Sequence, residues 1–444
     1  MPLEQQEAGE RLSAEDLREA WLLFAPEDRR LGFEQLPRSE AEDFFLSLPA
    51  RDQEELVLGL PRDARRSWVR LLPPDDAADL IQAAAPEERE GLLALLDDAT
   101  RREVTALLAY AEDEAGGLMN PRFARIRPDA TVDEAISYLR RQAREANAEV
   151  IYYAYVLDEE QRLLGVASFR DLFAASPEKR VRDVMHTDIV SVTEDMDQEA
   201  VSHVFADHDL PAIPVVDAQG RMKGIVTVDD IVDVVEEEAT EDIQKFGGVE
   251  VLGAPYLDMG FGAMVRKRGG WLAALFIGEM LTATAMAFFE DEIARAVVLA
   301  VFLPLIISSG GNSGSQASTL VIRAMALGEV RVRDWWRVAG REVTTGLALG
   351  VLLATIGFVR ILVWQRIGHM YGEHYLRVAL TVSVSLVGVV TFGTLAGSML
   401  PFLLRRFGLD PASASAPFVA TLVDVTGLVI YFAVGSVFLS GALL

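Results

Sequence analysis

In residues 420–432, ATLVDVTGLVIYF, one carboxylate, Asp424, interrupts a run otherwise fit for hydrocarbon. An acid at mid-span costs at least about 2.5–3.5 kcal/mol, so it must face a bundle interior or water. Glu279, in GEMLTATAM, is a second acid near the middle of another apolar run. No Lys or Arg stands at helical spacing from Asp424; Arg360 is the nearest intramembrane base and falls toward the end of its own run. Two acids without a base suit a cation. The competing reading is a protonated, hydrogen-bonded structural acid, a stronger competitor for Glu279 than for Asp424. Residues 303–328, LPLIISSGGNSGSQASTLVIRAMALG, place Pro304, Gly310, Gly311, Asn312 and Gly314 at membrane depth. Glycines there permit close helix approach or local unwinding. Asn312, Ser313, Ser315 and Gln316 add polar groups that lipid cannot satisfy. The run is therefore either a small-residue packing face or a polar lining for a conduction path.

More acids lie outside the apolar runs. Residues 228–242, VDDIVDVVEEEATED, contain no base, and their apolar residues fall at helical spacing. Such a run is usually a solvated face. Uncompensated acids on one helix also repel, and divalent cations relieve that. Mg²⁺ keeps several waters and uses one or two carboxylates, which suits loosely spaced acids. EF-hand spacing is absent. The chain has no Cys, which excludes disulfides and thiolate metal sites, and its five His are scattered without a nucleophile motif, so no enzyme is expected.

The elements that position these acids divide by composition. Residues 1–265 carry 27 Lys+Arg against 57 Asp+Glu, a net of −30; residues 266–444 carry 14 against 10, a net of +4. The acidic half reads as cytoplasmic and soluble, and its balance argues against nucleic acid and against anionic lipid as main partners. The first residues, MPLEQQEAGERLSAEDL, have neither basic nor apolar character and predict no secretory signal. Five apolar runs, 271–289, 296–325, 346–364, 380–404 and 417–443, are each long enough to span a bilayer. Arg266, Lys267 and Arg268 precede the first. Arg323, Arg331, Arg333, Arg337 and Arg341 cluster around the turn from the second to the third, and Arg405 and Arg406 follow the fourth. By the positive-inside rule these loops are cytoplasmic, with the acidic EDE at 290–292 and the C-terminus outside.

Two repeats organise the acidic half. Prolines at 26, 37, 49, 61, 73 and 86 recur every 11 to 13 residues, usually with acids just after them. Pro suits a helix start. Each unit predicts a two-turn helix that must stack on its neighbours, so residues 10–110 read as a superhelix of short helices. In residues 117–235 Met119 matches Met185, Asp158 matches Asp217, Gly165 matches Gly224 and Asp171 matches Asp230; both copies read β-α-β-β-α. This resembles a tandem CBS pair. In that family GVASFRD and GIVTVDD ends meet ribose and phosphate, and Asp229 makes the second cleft the poorer anion site.

In order, the chain has a helical superhelix, a CBS pair, an acidic connecting helix, five spans, GGNSGSQAS and ATLVDVTGL. This resembles the MgtE family of magnesium channels, over essentially the whole chain. The implied fold is a multidomain membrane protein. It has an all-α superhelix (1–115), an α/β CBS pair (116–235), an acidic connecting helix and linker (236–265) and a five-helix transmembrane domain (266–444). The resemblance implies a homodimer in the cell (inner) membrane. It implies a pore Mg²⁺ site made by Asp424 of each subunit, and an inlet near Asn312 and Gln316. It implies closure by cytoplasmic Mg²⁺ held at Asp197, Glu199, Asp209, Asp230, Asp233, Glu238, Glu241 and Asp242, with Asp75, Asp79 and the Gly117 carbonyl contributing. ATP as a regulatory ligand is implied at Tyr153, Arg170 and Asp171. The alternatives are an ion-coupled carrier for divalent cations, Co²⁺, Mn²⁺ and Ni²⁺ included, and a membrane sensor that reads nucleotide; a polar second span is of no use to a mere anchor.

Overall fold

The computed structural model describes residues 13–144, 153–253, 256, 257, 259–295 and 297–439. The expectations for residues 1–12 and for 440–443 of the fifth run lie outside them. The chain divides between Glu236 and Glu237 into two compact units.

In the first unit the proline repeat becomes a string of short helices, Pro26–Gln35, Arg38–Leu46, Ala50–Gly59, Arg62–Val69, Pro74–Ala83, Pro86–Leu93 and Asp98–Leu107. Pro26, Pro74 and Pro86 open their helices, whereas Pro37, Pro49, Pro61 and Pro73 stand one residue earlier, at the N-cap. In both places the fixed φ leads into the helix, and the missing N–H is one that the helix does not use. Helices this short are unstable alone. They survive by burying one side each. Phe33, Phe44, Phe45 and Trp68 form a cluster with ring centroids 4.8–6.4 Å apart, worth about 0.5–1.5 kcal/mol per pair beyond the area buried.

The second repeat folds as two copies of one motif. The first has β1 (Arg125–Ile126), helix Val132–Arg144, β2 (Tyr153–Leu157), β3 (Leu163–Ser168) and helix Phe169–Ala174. The second has β4 (Val192–Thr193), helix Gln198–His208, β5 (Ala212–Val216), β6 (Met222–Thr227) and helix Val228–Phe246. In each sheet the first strand pairs parallel with the second and the second antiparallel with the third, with Val156 opposite Gly165 and Val215 opposite Gly224. The copies exchange their leading segments. Met119 packs where Gly224 leaves room, and Met185 packs where Gly165 does. Backbone bridges Asn120–Ile225 and Val166–His186 close the exchange. A β-carbon on either glycine would lie within 3.0 Å of these neighbours, which explains why both copies carry Gly there.

Among the described residues the second unit has five helices long and apolar enough to cross a membrane, Phe261–Phe288, Val297–Ala326, Val332–Gly368, Tyr375–Arg406 and Ala416–Leu439, numbered spans one to five. The glycine-rich stretch of span two is continuous α-helix from Leu303 to Ala326. Of the two sequence readings for its glycines, close approach holds and unwinding does not. Gly393 and Gly397 of span four lie against the carbonyls of Gly310 and Gly314. Without a hydrophobic drive between helices in lipid, such backbone contact is what packs them. Span one leaves Leu272, Phe276, Ile277, Met280 and Leu281 exposed, a surface for lipid or another chain.

Candidate functional site

Asp424 sits half-buried on span five, flanked by buried Val423 and Gly427. Span one packs along this helix. Trp271 Nε1 donates to Ser415 Oγ at 3.2 Å, and Gly278 meets Thr421. That alignment makes Glu279 the charged neighbour of Asp424. One turn beyond Glu279, the buried Thr282 hydroxyl has no hydrogen-bond partner among the described residues. Arg360 does not neutralise either acid; its guanidinium lies over Phe302 and Trp364, 6.0 and 5.4 Å from the ring centroids. Spans one and five thus bring two carboxylates within electrostatic reach of each other, with no ion pair to a base at either among the described residues, a donor set matched to a hard cation.

The polar residues of span two split by face. Asn312 and Gln316 are exposed, and Asn312 Nδ2 donates to Ser308 Oγ at 3.4 Å. Ser315 and Ser318 instead donate to the carbonyls of Ala416 and Ala414, at 3.3 and 3.0 Å, which ties span two to the start of span five. Span two therefore has a small-residue packing face and, on another side, exposed Asn312 and Gln316.

A second group of acids lies in the first unit, where helix Pro74–Ala83 meets the start of helix Val228–Phe246. Asp75 is buried and accepts from Asn120 Nδ2 at 3.2 Å; Asp79 is half-buried one turn on. Between them Asp76 faces Asp229 and Asp233, and burial followed by their charges pushes its carboxyl up to about 6. Asp230 accepts from the Thr227 hydroxyl at 2.6 Å. Burial, then Asp229 and Asp76, nonetheless raise it to about 7. Asp233 is raised by burial, Glu236 and Asp229. The matching cap in the first copy behaves oppositely. Asp171 accepts from Ser168 at 2.5 Å and lies 3.1 Å from His186 Nε2; Ser168 first and then His186 hold it below the usual carboxylate range. One cap motif thus serves in a basic and in an acidic environment.

Sequence reasoning singled out Asp75 and Asp79 but missed Asp76, and it included Asp229 in the acidic run that divalent cations would relieve without naming it as a ligand. The available signal was spacing. Asp76 and Asp79 share a face at i, i+3, as do Asp229, Asp233 and Glu236 at i, i+4, i+7.

The remaining expected positions are spread out. Asp197 caps helix Gln198–His208 and accepts from the Glu199 N–H at 2.9 Å. Its backbone bridges Glu114, next to the short helix Ala115–Leu118 that contains Gly117. Asp209 ends the same helix in the left-handed region, φ 50°. At 1.5 Å per residue it stands more than about 15 Å from Asp197, so the two cannot share one ion. Glu238, Glu241 and Asp242 lie farther along the connecting helix, and Glu241 is ion-paired with Lys245. Lys245 Nζ also donates to Asp410 at 2.6 Å, in the turn between spans four and five. Phe246 packs there with Ile322, Ala412 and Ala414. Among the described residues no three His, Asp or Glu form a ready-made metal cage. At the end of the first sheet Tyr153 pairs across the strands with Ser168, whose hydroxyl caps Asp171, and Arg170 is exposed beside them.

Three family models match. They are the divalent cation transporter domain MgtE over residues 303–434, the MgtE intracellular N domain over 12–113, and the CBS domain over 115–178 and 181–237. Over 345 residues the chain is 46% identical to the magnesium transporter MgtE of Thermus thermophilus, spanning 78% of this chain and 74% of that protein. The chain belongs to the MgtE family. The Enterococcus faecalis magnesium transporter MgtE is 35% identical over 337 residues, 76% of this chain and 72% of that protein. The solved cytosolic domain of the Mg²⁺ channel MgtE in complex with ATP aligns at 43% identity and a TM-score of 0.47, covering 50% of this chain and 90% of that one. The chain has a helical N-terminal domain, a CBS pair and, among the described residues, five apolar helices, the make-up of a multidomain membrane protein.

Proposed function

We propose that the chain carries Mg²⁺ across the cell membrane, inward, through a homodimeric path in which Asp424 binds the hydrated ion. The observation that carries this reading is the placement of Asp424. It is half-buried on a packed helix, beside Glu279 and with no base among the described residues to neutralise it. A carboxylate left so exposed to its own desolvation cost is retained for a cation substrate. Asn312 and Gln316, exposed on the polar side of span two, belong to the inlet. Membership in a family of magnesium transporters supports the choice of ion.

Transport is further proposed to close when cytoplasmic Mg²⁺ rises. The residues that would hold it are Asp75, Asp76, Asp79, Asp229, Asp230 and Asp233, with Asp197, Glu199, Asp209 and the Gly117 carbonyl at separate points, and Glu238, Glu241 and Asp242 along the connecting helix. Their carboxyls fit a hard divalent ion that keeps most of its water, for which no three-acid cage is needed. Bound there, the ion supplies the positive charge that these acids lack. Without it, the burial and then the neighbouring acids that raise Asp76 and Asp230 favour separation of helix Pro74–Ala83 from the connecting helix. At its far end the connecting helix holds the turn before span five through Lys245 and Asp410. Movement of the helix is thereby delivered to the span that carries Asp424. ATP binding at Tyr153, Arg170 and Asp171 is a regulatory addition to the same reading.

The test is Mg²⁺ flux into liposomes containing the full-length protein. D424A is expected to cut flux by roughly tenfold or more, and removal of residues 1–236 is expected to abolish block by Mg²⁺ on the cytoplasmic face. D424A that conducts like the wild type rejects the pore assignment. Flux that requires an imposed proton or Na⁺ gradient selects the ion-coupled carrier instead.

A further inference from the structure

The turn between spans two and three is basic in a way the transport reading does not use. Residues 328–341 surround an open cavity of about 490 Å³, lined by Arg331, Arg333, Arg337 and Arg341 against two acids, Glu329 and Asp334. Asp334 is already committed. It accepts from the Arg331 backbone N–H at 3.2 Å, closing the first turn of the helix, and lies 3.6 Å from Arg337. Arg331, Arg333 and Arg341 form no ion pair within 4 Å of an acid among the described residues, and Arg341 has Glu342 as an acidic neighbour. Topology alone accounts for positive charge near a span end, but it needs neither a cavity nor convergence of four arginines on it.

The depth of this cavity is marked by its neighbours. Trp335 and Trp336 open the long helix of span three and are 55% and 59% exposed. Indoles in that position sit at the headgroup level of a bilayer. Directly along the helix, Leu347, Val351 and Leu352 are also exposed, an apolar strip reaching away from the cavity. Gly328, at φ +68°, reverses the chain after span two, and Val330 N–H donates to the Ala324 carbonyl at 3.1 Å, so the turn is held by backbone bonds.

We propose that this turn binds the phosphodiester headgroup of an anionic phospholipid. Guanidinium forks take phosphate oxygens in paired hydrogen bonds; the indoles flank the glycerol region, and the acyl chains follow the exposed strip of span three. A soluble phosphate could use the arginines but has no use for the indoles and the strip. The net charge of the chain, −26, conceals this site because nearly all the excess acid lies before residue 266. The average argues against anionic lipid, whereas a surface potential falls off within about 10 Å and is read locally.

The full-length protein is reconstituted in nanodiscs of phosphatidylcholine, with or without phosphatidylglycerol. Melting is followed, and native mass spectrometry counts lipid retained after release. Phosphatidylglycerol is expected to raise the melting temperature and to stay bound. R333Q/R341Q is expected to remove the shift and to lower retained phosphatidylglycerol by roughly tenfold or more. R405Q/R406Q, the same charge change at another turn, is expected to leave both effects. Inorganic phosphate added to phosphatidylcholine discs is expected to give no shift. Equal behaviour of wild type in the two lipids overturns the proposal, as does equal loss in the two double variants or a phosphate shift matching that of the lipid. Should R333Q/R341Q fail to fold, R333K/R341K keeps the charge while removing the paired geometry, and unchanged lipid retention in it counts against the site.

Discussion

The substitution D230N tests the acidic contact in the first unit directly. Asp230 titrates from about 7 in the fold against an ordinary value of 3.8, through burial and the charges of Asp229 and Asp76. A raised carboxyl binds its proton more tightly folded than unfolded. Stability is therefore full below the ordinary value and falls as pH rises toward 7. The slope approaches about 1.4 kcal/mol per pH unit, and the total loss is on the order of 4 kcal/mol when a single site dominates. Asp76, raised to about 6 by the same cluster, overlaps with this, so the two losses do not add. Asn at 230 still accepts from Thr227 and carries no charge. In magnesium-free detergent solution, unfolding followed from about pH 5 to pH 8 should show wild-type stability declining across the range and D230N declining less, its remaining slope, from Asp76, fading above about pH 6. Millimolar Mg²⁺ should flatten the wild type and do less for the variant, because a bound cation removes the penalty that the substitution has already removed. If D230N keeps the wild-type slope without magnesium, the crowded-acid account is wrong.

Four further outcomes follow from individual contacts. D424A should cut Mg²⁺ uptake into liposomes by roughly tenfold or more, since Glu279 alone offers one carboxylate where the site needs oxygen donors in number. K245M removes the link from the connecting helix to Asp410, which Glu241 of the same helix supports, worth about 1–2 kcal/mol in this half-buried setting. The cytoplasmic Mg²⁺ concentration for half block should shift by up to roughly tenfold, with little change in open flux. G397V puts side-chain atoms into the Gly314 carbonyl across the span two–span four contact and should cost about 1–3 kcal/mol or more, read as a lower melting temperature and poor yield of folded protein. G91A, where a β-carbon meets nothing within 4 Å in helix Pro86–Leu93, should stabilise by about 0.5–1 kcal/mol in the same melting assay.

Much of the fold was legible because its signals are local. The proline period marks helix starts whatever the helices pack on, since proline acts on its own φ. Five apolar runs declare five spans because the bilayer sets their length. The CBS repeat was legible from matched Met, Gly and Asp positions. The exchange that pairs Met119 with Gly224 and Met185 with Gly165 was not, because each contact joins residues far apart in sequence. The glycines of span two were ambiguous for the same reason. Close approach and unwinding both call for Gly, and only the position of Gly393 and Gly397 on span four decides between them.

The candidate sites divide along the same line. A carboxylate in an apolar run is costly wherever the run lies, so Asp424 and Glu279 were visible from residue type alone; that they are neighbours depends on span one packing along span five. In the cytoplasmic acids composition shows abundance but not partners. Asp75 and Asp76 are adjacent in the chain, yet one turns to Asn120 and the other to Asp229 and Asp233. Asp171 and Asp230 occupy the same place in a repeat and titrate in opposite directions. The sequence by itself determined which residues carry charge and which elements they ride on, because both follow from side-chain chemistry and short-range backbone preference. Only the tertiary structure decided which charges face one another, because a carboxyl group's energy is set by burial and by neighbours a few ångströms away that the chain order does not name.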